Sequence, residues 1–477
     1  MTSNDEMLSV RDGDQVYTIG AKCPHYGGPL AEGLVIDGTI RCPWHHACFD
    51  LKTGEILSGP AVTPLPVEGR RLGGRRVGGP PLKTPDSVVI VGAGAAGVNA
   101  ADTLRGEGYT GRIVMISRET DLPFDKPNLS KDFLAGNAQP EWLPLHPADY
   151  YEDQRIELRL GVTVTSVDTA AKLIATSSGE RLPFGALVLA IGAAPRRLSV
   201  PGAERVHYLR TQRDAEALVE RAAPAKRAVI IGSSFIGLEV AASLRQRGLD
   251  VTVTGPARVP LEKILGLAVG ARVRSIHETH GVKFHLGRNV ERIGNDAIAF
   301  DDGSRLDADL IVAGVGVTPD VELARAAGLE IADGIAVNEY LETSAANVFA
   351  CGDAAHPKGG PRIEHWVVAG RQGRAVARNI LGKRERYGAI PFFWSAHYDV
   401  TISYVGSGAG WDTDEVDGSL EGNDATVLYK RGRDVIAVAT IGRDGISLAA
   451  EALMERREPI TLAGLNAFRE AFRVRTA

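Results

Sequence analysis

The residues best suited to chemistry come early in the chain. Cys23-Pro-His25 is followed, after sixteen residues, by Cys42-Pro-Trp-His45. Two loops thus each offer one thiol and one imidazole. A 2Fe-2S cluster can use such a set, two thiolates holding one iron and two imidazoles the other, an arrangement that raises the cluster's potential. A structural Cys2His2 zinc site draws on the same donors, although zinc modules favour Cys-x2-4-Cys followed by a separate histidine pair. Loops of this kind need a small rigid frame. Gly27-Gly28-Pro29 and Asp37-Gly38 are turn chemistry, and the short runs 16–19 and 34–36 read as strands, so residues 1–68 are predicted to form a small all-β unit.

At these residues the chain resembles the Rieske ferredoxin domain, whose loops read CxH and CPWHG. The resemblance implies Cys23, His25, Cys42 and His45 as the metal ligands. The second loop here reads CPWHH. His46 stands where that family usually has glycine and is expected to be an exposed neighbour of the ligand, with Cys48 a packed thiol. About two short strands are expected before Cys23, fewer than the family usually has.

The second chemical signal is SVVIVGAGAAG, residues 87–97, a strand ending in Gly92-x-Gly94-x-x-Gly97 and opening into a helix. One glycine makes the turn, one lets a pyrophosphate approach the backbone and one lets helix pack on strand, while the helix N-terminus faces the phosphates. A further strand, RIVMIS, leads to Glu119, about twenty residues past the last glycine, where an acid can bond a ribose hydroxyl. The pattern returns within 226–248, where residues 227–248 read RAVIIGSSFIGLEVAASLRQRG, with Gly232 and Gly237 but Ser234 in the middle position. This duplication reads as two nucleotide-binding folds, the α/β class with parallel sheets. The second fold's strand VTVTG ends at Thr254, where an NAD-preferring site often has an acid, and Arg258 follows four residues on. That leaves the choice between NADH and NADPH open, and predicts that an acid at Thr254 would favour NADH.

From residue 86 onward the chain resembles the FAD-dependent pyridine nucleotide reductases, the ferredoxin reductase and apoptosis-inducing-factor-like branch. The resemblance implies FAD on Gly92, Gly94, Gly97 and Glu119, with Lys126 and Lys131 of DKPNLSK lining the flavin and Asp353 of CGDAA on the ribityl chain. It implies a Lys131–Glu239 pair where nicotinamide meets flavin, Trp366 against the isoalloxazine ring, and a closing segment over the second nucleotide around Gly314, Gly316 and Pro319. Lys131, Glu239 and Trp366 are the residues expected nearest the reacting atoms.

The domain organisation predicted is a Rieske unit at 1–68, a Gly-, Pro- and Arg-rich linker at 69–85, an FAD-binding domain at 86–200 and 320–386, an NAD(P)H-binding domain at 201–319, and an α+β C-terminal domain of the reductase dimerisation type at 387–477, with a helix from about Ile460. A homodimer is the assembly such a domain suggests. At 477 residues the chain is too long for one core. A net charge of −5 implies no field for nucleic acid, and no apolar run approaches the eighteen or so residues that span a bilayer. The N-terminus lacks the apolar core of a signal peptide, so a cytoplasmic location is the default. Four cysteines make no disulfide framework, and none lies between Cys48 and Cys351 to serve as a redox pair beside the flavin. His280 and His285 have a spacing seen in mononuclear iron oxygenases but fall on a helix end and a strand of the second repeat.

The function expected is an electron-transfer flavoenzyme. NAD(P)H delivers a hydride to FAD, and electrons leave singly through the cluster to an outside acceptor, an oxygenase or another redox protein. Rieske potentials of roughly −150 to +300 mV make that direction favourable. Two other readings are direct reduction of a quinone or small oxidant by flavin, and a redox-responsive signalling protein.

Overall fold

The computed structural model describes residues 6–69, 84–408 and 410–476. Most of the expected linker lies outside them. The N-terminal unit consists of an antiparallel hairpin, Met7–Asp12 with Gln15–Gly20, beside a four-stranded antiparallel sheet of Leu34–Ile36, Thr39–Arg41, Cys48–Asp50 and Ile56–Ser58. Val10, Ile19, Leu30, Ile40, Phe49 and Leu51 fill its core. Two strands do precede Cys23, as expected.

Residues 87–189 and 348–350 build a five-stranded parallel sheet in the order Val348–Ala350, Ala186–Leu189, Ser87–Val91, Arg112–Ile116, Ile156–Arg159. The inner strands are apolar along nearly their whole length because helices and loops cover both faces of a parallel sheet, whereas the edge strand Ile156–Arg159 carries Glu157 and Arg159. Helix Ala95–Gly106 packs on helix Trp366–Ile380 at very close range: a Cβ on Gly373 would lie 2.1 Å from the Ala96 carbonyl. A second parallel sheet, Lys283–Leu286, Asp250–Gly255, Arg227–Ile231, Leu310–Ala313, is inserted between the two parts of the first. The antiparallel ribbon Ala193–Pro195 with Val317–Pro319 joins the two folds. Both central strands end on a glycine turn, and residues of both turns line one cavity.

The C-terminal unit is a five-stranded antiparallel sheet, Phe392–His397, Val400–Gly406, Asp434–Ile441, Asp424–Arg431, Thr413–Ser419, followed by two helices. The helix expected near Ile460 spans Leu462–Phe472, and a helix the sequence reading did not anticipate, Asp444–Glu455, precedes it. That earlier helix matters, because it meets the N-terminal unit. Leu34 and Ile36 belong to the same core as Phe392, Leu448 and Leu453. After the last helix the chain runs back along the N-terminal unit, with bridges Leu34↔Arg473 and Val10↔Thr476.

Candidate functional site

A cavity of about 1260 Å³ lies between the two repeats and the C-terminal sheet. The first turn closes it at one end. Gly92 has φ +106°, and a Cβ there would lie 2.1 Å from the Ala190 carbonyl, so only glycine makes this turn. Gly97 lies against the Gly92 carbonyl, 2.0 Å from its own would-be Cβ. Gly94 is different: the nearest atom to its would-be Cβ is Lys126 Cε at 3.9 Å, so its backbone faces open cavity at the helix N-terminus. This cradle at the helix N-terminus, where no side chain caps the first N–H groups, fits a pyrophosphate. Glu119 is there too, 2.9 Å from Lys126 Nζ. Burial lowers the Lys126 ammonium and Glu119 opposes it.

Asp353 reaches the cavity from the far side of the sheet and pairs with Arg210 at 2.9 Å. Deeper in, Glu239 is 3% exposed and accepts from Lys131 Nζ at 2.9 Å, Ser130 Oγ at 2.6 Å and Ser395 Oγ at 2.8 Å. A buried carboxylate needs this many donors. Trp366, at the start of its helix, and Gly316 line the same space. Arg210, Ser130 and Ser395 were missed by the sequence reading. Each is a common residue in a common context, brought in by tertiary contact alone.

The second turn repeats the first with one substitution. Gly232 has φ +111° and a would-be Cβ 2.3 Å from the Gly314 carbonyl, and Gly237 packs on Gly232. Ser234 is tolerated because the middle position is extended in both turns, φ −92° here and −81° at Gly94, and its hydroxyl donates to the Gly314 carbonyl at 3.0 Å. Glycine's freedom is not needed there.

The structure corrects the position assigned to the missing acid. The Gly92 N–H bonds the Ile116 carbonyl and the Gly232 N–H bonds that of Thr254, so Thr254 matches Ile116, three residues before Glu119. Gly161 N–H to Glu119 O and Gly287 N–H to Ala257 O complete the correspondence. The counterpart of Glu119 is Ala257. Thr254 is fully buried, its hydroxyl donating to the His285 carbonyl, so an acid there would have to be buried among apolar groups. Arg258 does not line the cavity. It is exposed and ion-paired with Glu262.

The two thiol-imidazole loops come together at the edge of this cavity. Cys23 and Cys42 are buried and hydrogen-bonded to each other, and His25 Nδ1 lies 3.1 Å from His45 Nδ1. Cys42 is held below the ordinary thiol value, first by the Cys23 hydrogen bond and then by the Trp44 and His45 N–H groups. Burial pushes His25 down to about 3 and His45 well below its usual value, so both rings are neutral, as metal ligands must be. A Cβ on Gly28 would lie 2.7 Å from Cys42 Sγ. Among the described residues no three such side chains close on a single point. One thiol pair beside one imidazole pair fits a two-iron cluster better than a single tetrahedral ion.

His46 is not exposed. Its side chain is fully buried, with Nδ1 at 2.8 Å from Glu451, Nε2 at 3.1 Å from the Ser447 hydroxyl, and the ring stacked on Phe392 at 3.7 Å. It adopts φ +57°, the conformation that favours glycine, at a cost of about 1–2 kcal/mol for any other residue. Cys48 is buried, as expected, and its thiol is raised by burial. Trp394, which the sequence reading passed over, lines the large cavity and also lies 4.0 Å, centroid to centroid, from the His45 ring. Cys351 is buried with its thiol pushed up to about 12, and all four cysteines are free. His280 stacks on Tyr398 while His285 bonds Ser304, so they share no site.

Two glycine turns facing one cavity, with a pair of cluster loops at its rim, define an oxidoreductase with two nucleotides and a metal centre. Comparison with known proteins agrees. Residues 86–373 match the family "Pyridine nucleotide-disulphide oxidoreductase", residues 2–68 the "Rieske [2Fe-2S] domain" and residues 392–473 "Reductase C-terminal". Human apoptosis-inducing factor 3 is 33% identical over 95% of this chain and 80% of its own length. Putidaredoxin reductase CamA of Pseudomonas putida is 38% identical over 76% of this chain and 90% of its own. The crystal structure of the covalent putidaredoxin reductase-putidaredoxin complex covers 81% of this chain and 99% of the matched one, at 36% identity and TM-score 0.77. The chain belongs to the pyridine nucleotide-disulphide oxidoreductases, in their ferredoxin reductase-like group, and carries a Rieske domain at its N-terminal end. Its activity is NAD(P)H-dependent electron transfer, with FAD and a 2Fe-2S cluster as cofactors. No described helix is long and apolar enough to cross a membrane.

Proposed function

We propose that the cluster is the exit for electrons that enter at the flavin, and that Trp394 joins the two. The observation that carries this reading is the position of Trp394, with its ring on His45 and its edge in the nucleotide cavity. FAD supplies the conversion from a hydride pair to single electrons, and the cluster carries them one at a time. The protein's part is to bind and to hold. Gly92, Gly94 and Gly97 seat the FAD pyrophosphate, Glu119 takes the ribose when Lys126 releases it, and Asp353 holds the ribityl chain. Gly232, Gly237 and Gly316 seat NAD(P)H. The Lys131–Glu239 pair and Trp366 set the stacking of nicotinamide on flavin. Cys23, His25, Cys42 and His45 ligate the cluster.

The ribose end of the NAD(P)H site carries no acid at Gly255, Pro256 or Ala257, and Arg258 is occupied by Glu262. Both nicotinamides therefore bind, with weak discrimination. The acceptor is a one-electron redox protein or an oxygenase. Direct reduction of a quinone at the flavin is disfavoured, since the N-terminal unit covers the Trp394 side of the cavity. The test is anaerobic addition of NADH or NADPH to purified protein: flavin and cluster absorption should both bleach. Bleaching of flavin alone would overturn the reading.

A further inference from the structure

His45 and His46 are consecutive, and both rings rest on one strand. His45 meets Trp394 and His46 stacks on Phe392, two residues earlier on the same face of Phe392–His397, where the two strand rings lie 6.2 Å apart. His46 is held from behind as well. Its Nδ1 lies 2.8 Å from Glu451 and its Nε2 3.1 Å from the Ser447 hydroxyl, both on helix Asp444–Glu455. The other Glu451 oxygen meets Arg371, on the flavin-side helix Trp366–Ile380, at 2.7 Å. Burial pushes the Glu451 carboxyl up, but Arg371, His46 and Arg41 outweigh it and hold it well below the usual range. One imidazole therefore ties together the cluster loop, the C-terminal helix and the flavin-binding fold.

The rest of the contact agrees. Arg41 pairs with Glu455 at 2.8 Å and Asp37 with Arg456 at 3.0 Å. Arg374 donates to the Ala61 carbonyl at 2.9 Å. Leu34 and Ile36 share the C-terminal core, and residues 473–476 bridge to the N-terminal strands. An apolar core continuous across the contact and a buried ion pair behind it characterise a permanent interface rather than a transient encounter.

We propose that His46 is a positioning residue: it sets the register of the cluster loop on the Phe392–His397 strand so that His45 falls on Trp394. The Rieske unit of this chain consequently works docked, without swinging between flavin and acceptor. The proposal rests on the relay reading above, and its test has an arm independent of that reading. The full chain is compared with His46→Gly, which keeps the left-handed backbone, by hydrogen exchange and by rapid mixing with NADH. Expected are faster exchange at residues 34–36 and 446–453, unchanged flavin reduction, and cluster reduction slower by about tenfold or more, because a loosened support misplaces the reacting groups. His46→Asn, which tolerates the same backbone and can still bond Glu451, should recover part of the rate. Should His46→Gly fail to retain the cluster, Glu451→Gln leaves both ligand loops intact and reads the same latch. Parental cluster reduction with unchanged exchange in these variants would overturn the proposal, as would exchange at 34–36 in the parent as fast as in an unstructured peptide. A parent whose flavin never reduces its cluster would overturn the relay, while the exchange arm would still decide the latch.

Discussion

The nucleotide cavity and the cluster loops solve opposite problems. In the cavity the charged groups that would receive FAD are already paired with the protein's own cations, Glu119 with Lys126 and Asp353 with Arg210. Binding there exchanges one set of partners for another, as suits a large cofactor that must be admitted through an open cleft. In the cluster loops the donors face one another instead: Cys23, Cys42 and His45 are buried and His25 half-buried, the two imidazoles lie 3.1 Å apart, and Cys42 is held below the ordinary thiol value by its hydrogen bonds. Two thiols beside two imidazoles form a donor set that suits a two-iron cluster. The lesson is that the two halves are separable in chemistry, and that one side chain, Trp394, both lines the cavity and lies against a cluster ligand, so each perturbation should strike one half and spare the other.

The largest effect expected comes from Cys42→Ser. Serine is a poor ligand for iron that prefers thiolate, so this variant should lose its cluster by iron analysis and spectrum while keeping FAD and a near-parental rate of flavin reduction. Loss of FAD as well would show that the halves are not separable. Next is Trp394→Leu, which removes the shared ring and leaves a gap. Cluster reduction should slow by roughly 10- to 100-fold with flavin reduction intact, since placement at this level controls rate; equal rates would mean that electrons take another route.

Glu119→Ala acts on the other half. It removes a charge-assisted bond worth about 1.5–3 kcal/mol, so FAD should bind roughly 10- to 100-fold more weakly in equilibrium titration, with the 2Fe-2S spectrum unchanged. The smallest effect is at Ala257. Ala257→Glu places an acid where Glu119 stands in the first repeat and should shift the NADH to NADPH ratio in kcat/KM toward NADH by about tenfold, through a ribose bond and repulsion of a phosphate. Thr254→Glu, on a buried position, should destabilise the fold instead. If the ratio moves with Thr254 and not with Ala257, the correspondence between the repeats is wrong.

The parts legible in the sequence were those where chemistry demands a residue type at short spacing. Cys23-x-His25, Cys42-x-x-His45 and the glycines of both turns fall in this class, and the structure brings each set together. What was not legible depends on contacts across long separations. His46 was misjudged because a glycine-like backbone position suggests a surface turn, whereas its partner Glu451 lies 405 residues away. Trp394 sits in an ordinary alternating strand, with nothing local to distinguish it from a core tryptophan. The error at Thr254 was one of register: strand identity can be read from residue types, but which residue leaves the strand facing a ribose is set by the hydrogen-bond ladder.

The central claim is that electrons pass from flavin to cluster within one molecule. It is tested most directly by single-turnover mixing of the intact protein with NADH or NADPH under anaerobic conditions, following flavin absorption and the electron paramagnetic resonance of the reduced cluster together. The account predicts a cluster signal that follows flavin reduction at a rate independent of protein concentration. A cluster that stays oxidised beside fully reduced flavin, or one reduced at a rate proportional to protein concentration, would contradict it.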